Sequence, residues 1–292
     1  RKGSKQMDNL KAKKRHPEER AVSSAIYVCA AFSVLLLLGI IIYVFAKGAR
    51  RVNWAFLTGV TSILHGTVGI AGNILNTLII ILLTMIITTP IGVGAAIYLN
   101  EYAKPGKLVT VIIFATETLA GIPSIIFGLF GMLFFGQLCH MGYSLLTGSL
   151  TLTLMVLPLV TRNTQEALKT VPDSFRTGAV GLGAGKWYTI RTILLPSAMP
   201  GIVTGVILAI GRIIGESAAL LFTAGSAHLL PKTFDAFLEK IFHSGGTLTI
   251  QLYLSASKGE FEVAFGIAVV LLVIVLLINF GTKRLAKKLE KH

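Results

Sequence analysis

The stretch VSSAIYVCAAFSVLLLLGIIIYVFA, residues 22–46, runs for 25 residues without one Asp, Glu, Lys or Arg. A helix needs roughly 20 apolar residues to cross the hydrocarbon core of a bilayer, so this run can span it with some tilt. The basic residues before it give it the outline of a secretory leader. Its apolar core is much longer than the roughly 7–15 residues of a leader, and it reads as an uncleaved anchor. Five more segments of the same kind follow, at about 73–99, 108–138, 143–165, 197–224 and 262–282. The composition agrees: 53% of the chain is hydrophobic and 14% is charged, where a soluble domain carries about 25% charge. The expectation is an all-α integral membrane protein with six transmembrane helices, not a soluble bundle of six buried ones.

The formal net charge of +14 raises nucleic acid as a partner, and the placement of the charge removes it. With six spans both tails fall on one side. The tails together with the loops near 99–107 and 166–196 carry nineteen Lys and Arg, and the opposite side carries six. Short basic loops stay in the cytoplasm, so both termini are expected there and the surplus is topological. On this reading residues 1–21 form a basic tail lying near anionic lipid headgroups. Residues 22–282 form the transmembrane domain, with its core at about 60–282, and residues 283–292 form a second basic tail. Cys29 and Cys139 lie in or at the end of apolar segments. They suggest neither a disulfide framework nor a metal site. The six histidines are scattered without ligand spacing.

The segments differ in texture. The first has no polar handle and reads as peripheral and lipid-facing. The next four are dotted with Gly, Pro, Ser and Thr, as in TTPIGVGAAIYL (88–99), LAGIPSIIFGLFG (119–131) and MPGIVTGVILAIGRIIG (199–215). Small residues let membrane helices approach closely, and prolines kink them or mark a re-entrant bend. Trp54 and Phe56 are candidate interfacial anchors in the outer loop 47–72. TFDAFLEKIFHSG (233–245) reads as amphipathic, lying along the outer surface.

The loop 166–196, EALKTVPDSFRTGAVGLGAGKWYTIRTILLP, is long and amphipathic. Asp173 or Ser174 can cap a short helix starting near Phe175. Gly181, Gly183 and Gly185 interrupt it before a second helical stretch that ends at Pro196. GLGAGK fails as a phosphate loop: Val180 stands where the first Gly is needed, Trp187 follows Lys186, and no strand precedes it.

This loop resembles the cytoplasmic coupling loop of permease subunits in ABC importers. Ala179, Gly183, Ile193 and Leu195-Pro196 fall at the family's positions, while Thr177-Gly178 replace its Glu-Ala. That replacement removes the acidic side chain that usually helps to anchor the loop. TPIGVGAAIYLNEYA (89–103), TLAGIPSIIFGLFG (118–131), EALKTVPDSFR (166–176) and AIGRIIGESAALLFTAG (209–225) are similar to phosphate-importer permeases, the last to the PstA type. The resemblance covers about residues 60–282. It implies the type I ABC importer permease architecture in a bacterial cytoplasmic (inner) membrane. It also implies a coupling surface, here Phe175, Ala179, Gly183, Ala184, Lys186, Trp187 and Pro196, that docks on an ATPase subunit.

Four charges remain in or beside the apolar segments: Glu117, Arg162, Arg212 and Glu216. A charged side chain at mid-span costs roughly 2.5–3.5 kcal/mol on insertion scales, so these are candidate pathway residues. Arg212 and Glu216, at i and i+4, read as mid-segment. The plainer alternative is a self-neutralising helical ion pair, although Arg before Glu is the weaker order. For a phosphate that must shed its water, arginine offers planar, bidentate hydrogen bonds and a permanent charge. Glu216 is expected either to hold Arg212 or to accept a hydrogen bond from a protonated phosphate oxygen.

The expected function is therefore the permease subunit of an ATP-driven phosphate importer. Its expected partners are a second, homologous permease, two ATPase subunits and an external phosphate-binding protein. The chain itself is expected to be neither an enzyme nor a cofactor carrier, with ATP and Mg on the ATPase. The alternatives are a permease for molybdate, sulfate or phosphonate, and an ion-coupled secondary transporter, which would favour inverted repeats that the sequence does not display.

Overall fold

The computed structural model describes residues 17–62, 67–231 and 233–289. The basic tail expected at 1–21 lies outside the described residues up to His16, as do His65 and Lys232. From Pro17 the chain is already helical, in α1 (Pro17–Gly48). Of the described residues, those up to Lys47 form one compact unit and those from Gly48 onward a second. Taken alone, α1 presents apolar side chains on all sides, including Ile26, Phe32, Leu37 and Ile42. That is the surface of a helix solvated by lipid.

The second unit opens with α2 (Trp54–Thr58), capped by Asn53, whose Oδ1 accepts the Phe56 amide at 2.8 Å. A two-stranded antiparallel ribbon follows, β1 (Val60–Ser62) on β2 (Thr67–Ile70), an addition to the expected all-helical fold. Then come α3 (Ala71–Ile97), α4 (Lys107–Gly121), α5 (Ser124–Gly131) and α6 (Leu145–Lys169). After them run α7 (Asp173–Gly181), α8 (Lys186–Thr189), α9 (Leu195–Gly215) and α10 (Ala218–Thr223). The chain closes with α11 (Phe234–Glu239), α12 (Leu248–Ser257) and α13 (Phe261–Leu289). α11 falls within the expected 233–245 segment, whereas α12 is a helix that no expectation covered.

Among the described residues, five helical stretches are long and apolar enough to cross a membrane: Val22–Arg51, Ala71–Tyr102, Leu145–Lys169, Lys186–Gly215 and Phe261–Arg284. The expected sixth, 108–138, is two arms bent by 103° between Gly121 and Ser124. Proline is the cause. It disfavours helical geometry in the residue before it, and Ile122 is extended at φ −73°, ψ 132°. α13 continues as helix through 283–289, into the stretch expected as the second basic tail.

α6 is the centre of the bundle. It is the least apolar of the five spans, yet two-thirds of its most apolar window is buried. Its Thr and Ser side chains explain how. Thr151 and Thr153 donate to the carbonyls of Thr147 and Ser149, both at 2.8 Å, so their hydroxyls need no water. Neighbouring helices approach through glycine. A Cβ on Gly205 of α9 would stand 2.7 Å from Asn163 Cβ, and one on Gly201 would stand 2.5 Å from Ala167 Cβ. Around this axis Ile80, Leu152, Met155, Val156, Ala209 and Ile213 form the main apolar cluster.

At one end of the bundle a smaller cluster of Leu168, Val171, Ile190, Leu194 and Ile202 seats the loop that carries α7. At the opposite end Asn73 and Asn76 of α3 hold the long 224–247 connection. Asn73 Nδ2 donates to Gly246 O at 2.9 Å, and Asn76 Nδ2 to Ala227 O and Gly246 O, both at 3.0 Å.

Candidate functional site

Arg212 and Glu216 do not share a helix. α9 ends at Gly215, and Glu216 is extended at φ −81°, ψ 124°. The expected segment 197–224 is thus two helices joined by a two-residue break. Arg212 sits in the last turn of α9, where the unpaired carbonyls of a helix end favour a cation. The three ion pairs among the described residues are Arg162–Glu166, Arg176–Glu101 and Arg176–Asp173, and Arg212 is in none of them. This overturns the reading of a self-neutralising i, i+4 pair at mid-helix. Glu216 instead caps the following helix: its Oε1 accepts the Ala219 amide at 3.0 Å. Its backbone carbonyl accepts Thr249 Oγ1 at 2.8 Å, which ties the break to α12.

Arg212 is exposed along an open face of α9. Gly211 and Gly215 flank it, and a Cβ on either would meet nothing within 4 Å. Glycine that fits against nothing in its own chain leaves room for a second surface or for a solute.

Glu117 and Arg162 come together elsewhere. They line one cavity of about 170 Å³ between α4 and α6, with Leu99, Ile113, Thr116, Gln165, Glu166 and Lys169. Two acids and two bases make the lining charge-balanced. Arg162 Nε lies 3.4 Å from Glu166 Oε1, with both side chains more than 60% exposed, so the pair adds little stability. The cavity lies toward the α7 end. The pairings of Gly201 with Ala167 and Gly205 with Asn163 set an antiparallel register. That register carries Arg212 to the level of Val156, six residues from Arg162, or roughly 9 Å along the axis. The four charges therefore occupy two levels of the bundle.

The loop expected at 166–196 is shorter than its sequence suggested. Glu166 and Lys169 belong to α6, which runs to Lys169. α7 begins at Asp173 with Pro172 as its cap and no side-chain capping bond, not near Phe175 with Asp173 or Ser174 as cap. Gly183 takes φ +81°, the left-handed region that glycine favours. Helix then resumes at Lys186 and continues past Pro196 to Gly215, through a π-helical turn at Ile190–Leu194. The wide turn just before Pro196 absorbs the donor that proline lacks. Of the expected coupling residues, Phe175, Gly183, Lys186, Trp187 and Pro196 are exposed, Ala184 is half-buried, and Ala179 is buried as the foot of α7.

With this geometry in place, residues 88–292 match the family described as the binding-protein-dependent transport system inner membrane component. The chain belongs to that family. It is 35% identical over 274 residues to a probable ABC transporter permease protein, YqgI, of Bacillus subtilis, covering 90% of this chain and 93% of that one. It is 34% identical over 244 residues to the phosphate transport system permease protein PstA of Xylella fastidiosa strain Temecula1, covering 82% of each. Among solved structures, a bacterial alginate ABC transporter matches with a TM-score of 0.69 at 14% identity, over 95% of this chain and 99% of that one. The inward-facing MetNI methionine ABC transporter matches with a TM-score of 0.56 at 21% identity, over 76% and 94%. These two likenesses establish the fold.

The permease also carries a contact that the sequence reading missed. After α3 the chain makes a π-helical turn, Tyr98–Tyr102. Its Glu101 Oε1 accepts Arg176 Nε at 3.3 Å and Nη2 at 2.9 Å. Arg176 also donates to the carbonyls of Leu168 and Val171 and to Asp173 Oδ1, each at 3.0 Å. The Glu101 carboxylate holds the guanidinium above its ordinary pKa. The residue types were legible, but a 75-residue separation has no local signature.

Proposed function

We propose that this ABC permease subunit moves inorganic phosphate across a bacterial cytoplasmic membrane. It receives the anion from an external binding protein and shares the pathway with a second, homologous permease. Two ATPase subunits dock on the exposed face of α7 and α8 through Phe175, Gly183, Lys186 and Trp187, and they carry the ATP and Mg. Both termini then lie in the cytoplasm, on the same side as that face. The basic stretches 1–21 and 283–292 flank the transmembrane permease domain on that side.

The observation that carries this reading is Arg212, an exposed guanidinium at the end of a membrane-spanning helix, without a carboxylate partner and beside two open glycines. A cation left unpaired on the open face of a membrane-spanning helix is matched to an anion that passes. PstA relatives at about one-third identity over most of the chain support phosphate as that anion. Glu117 and Arg162 line a polar cavity nearer the ATPase side, a suitable exit vestibule.

The test is reconstitution of the chain with its co-purifying subunits and measurement of ATP-dependent uptake of labelled phosphate. Uptake is expected for the wild type and is expected to fall by about two orders of magnitude in Arg212→Gln, the size of effect seen when a key electrostatic donor is removed. Preferential uptake of molybdate, sulfate or phosphonate would reassign the oxyanion. Uptake driven by a proton gradient without any ATPase would overturn the reading.

A further inference from the structure

We propose that Arg176 is a positioning residue of the coupling step, locking α7 to the end of α3 so that the two move together. The proposal rests on the ABC permease reading and asks how force on α7 reaches the bundle. α7, α8 and the turn between them expose Phe175, Val180, Leu182, Trp187 and Tyr188, a face made for a partner. By sequence the loop is continuous only with α6 and α9. α3 is remote in sequence, and it packs along α6, with Gly92 against Val160.

Two polar ties join the loop to the end of α3. One is Arg176 to Glu101, with Nε and Nη2 on one carboxylate oxygen. The second is Lys186, whose ammonium lies 4.6 Å from the centre of the Tyr102 ring. The two anchors, just past α3, are adjacent residues of one π-helical turn, and the two cations come from α7 and α8. The Glu101 side chain is 8% exposed and the Arg176 side chain 23%. Unlike the surface pair Arg162–Glu166, this contact is shielded from water and salt. Arg176 gives its remaining donors to Leu168 O in the last turn of α6, to Val171 O in the connection, and to Asp173, the first residue of α7. A single guanidinium therefore ties three elements, which a surface salt bridge kept for solubility does not do. Thr177-Gly178 stand where the resemblance expects Glu-Ala, so this stretch offers no carboxylate of its own to anchor the loop. Thr177 bonds only within its own helix, to the carbonyls of Asp173 and Ser174.

The test uses the assembled transporter in proteoliposomes and reads phosphate imported per ATP hydrolysed. In Glu101→Gln, which keeps an acceptor oxygen but removes the charge, this ratio is expected to fall about tenfold in a complex that still assembles. A second readout needs no transport: the thiol accessibility of Gly94→Cys in α3, on a chain lacking Cys29 and Cys139, with and without ATP. It is expected to respond to ATP in the parent and not in Glu101→Gln. If the ratio and the thiol response stay at parental values in Glu101→Gln, the proposal is overturned. It is equally overturned if uptake, hydrolysis and assembly fall together at constant ratio, because the tie is then structural only. A parent that responds to ATP at Gly94→Cys but imports no phosphate removes the substrate assignment and leaves this test standing.

Discussion

The carboxylate of Glu216 accepts the amide of Ala219 at 3.0 Å, across the break between α9 and α10. It holds the first turn of the second helix and leaves Arg212 without an acidic neighbour. A glutamine oxygen can take the same hydrogen bond. Glu216→Gln is therefore expected to unfold at the wild-type temperature, and Glu216→Ala to lose about 1 kcal/mol, the usual worth of such a cap. If the charge also screens the ligand, Glu216→Gln admits sulfate where the wild type excludes it. Wild-type phosphate uptake with sulfate still excluded would sink that second role.

Gly205 and Gly211 lie six residues apart on α9 and face opposite fates. A methyl on Gly205 meets Asn163 Cβ at 2.7 Å, whereas one on Gly211 meets nothing within 4 Å. Gly205→Ala is expected to destabilise the isolated chain by about 1–3 kcal/mol through overpacking. Gly211→Ala is expected to leave it unchanged or slightly firmer, and a bulkier Gly211→Phe to reduce recovery of the second permease from a co-expressed pair. Thermal unfolding in detergent and pull-down yield check the two arms. Equal destabilisation at both glycines would mean that the open face is not open.

Much of this was written in the chain, and the failures have a common cause. The apolar runs 22–46, 73–99, 143–165 and 262–282 each correspond to a helix, because desolvation of the backbone leaves no other spanning structure. The breaks at Ile122-Pro123 and at Glu216 were hidden inside runs that stay apolar across them. Hydropathy reports where the chain sits, not whether it is continuous. Proline at 123 was a visible cue. At 216 the only cue was the glutamate itself, read for its place beside Arg212 and the ligand, and its hydrogen bond to the Ala219 amide is that of a cap. Glu101 with Arg176, and Asn73 with the 246 carbonyl, escaped because pairing across more than 70 residues has no period to detect.

Asn76 is fully buried and gives both amide protons to carbonyls of the 224–247 connection. Asn76→Ala leaves Ala227 O without that donor, at a cost of about 1–3 kcal/mol. The loss is expected to be local. Hydrogen exchange at 224–247 quickens while α6 keeps its protection, and uniform quickening would place Asn76 in the global core instead.

Lys240 is buried, and its ammonium donates to the carbonyl of Leu229. Burial pushes its pKa below the ordinary lysine value of 10.5. The unfolded chain then holds a proton that the folded one releases, so stability rises with pH between the depressed pKa and 10.5. Below that window the full penalty remains. Melting curves of the wild type and Lys240→Met, taken from neutral to pH 10, are expected to converge or cross as the wild type gains. A constant difference would contradict it.

The inside-out character of α6 has a consequence for biogenesis. A helix that turns its hydroxyls toward its neighbours and carries a charge at Arg162 is a poor candidate for entering lipid unaccompanied. It follows α3 in the chain by fewer than 50 residues, and α3 supplies the surface against which it packs. The two are suited to leave the insertion machinery as a pair, with α9 sealing the remaining side. Any variant that delays that pairing would be read by membrane quality control long before it could be read as a defect in transport.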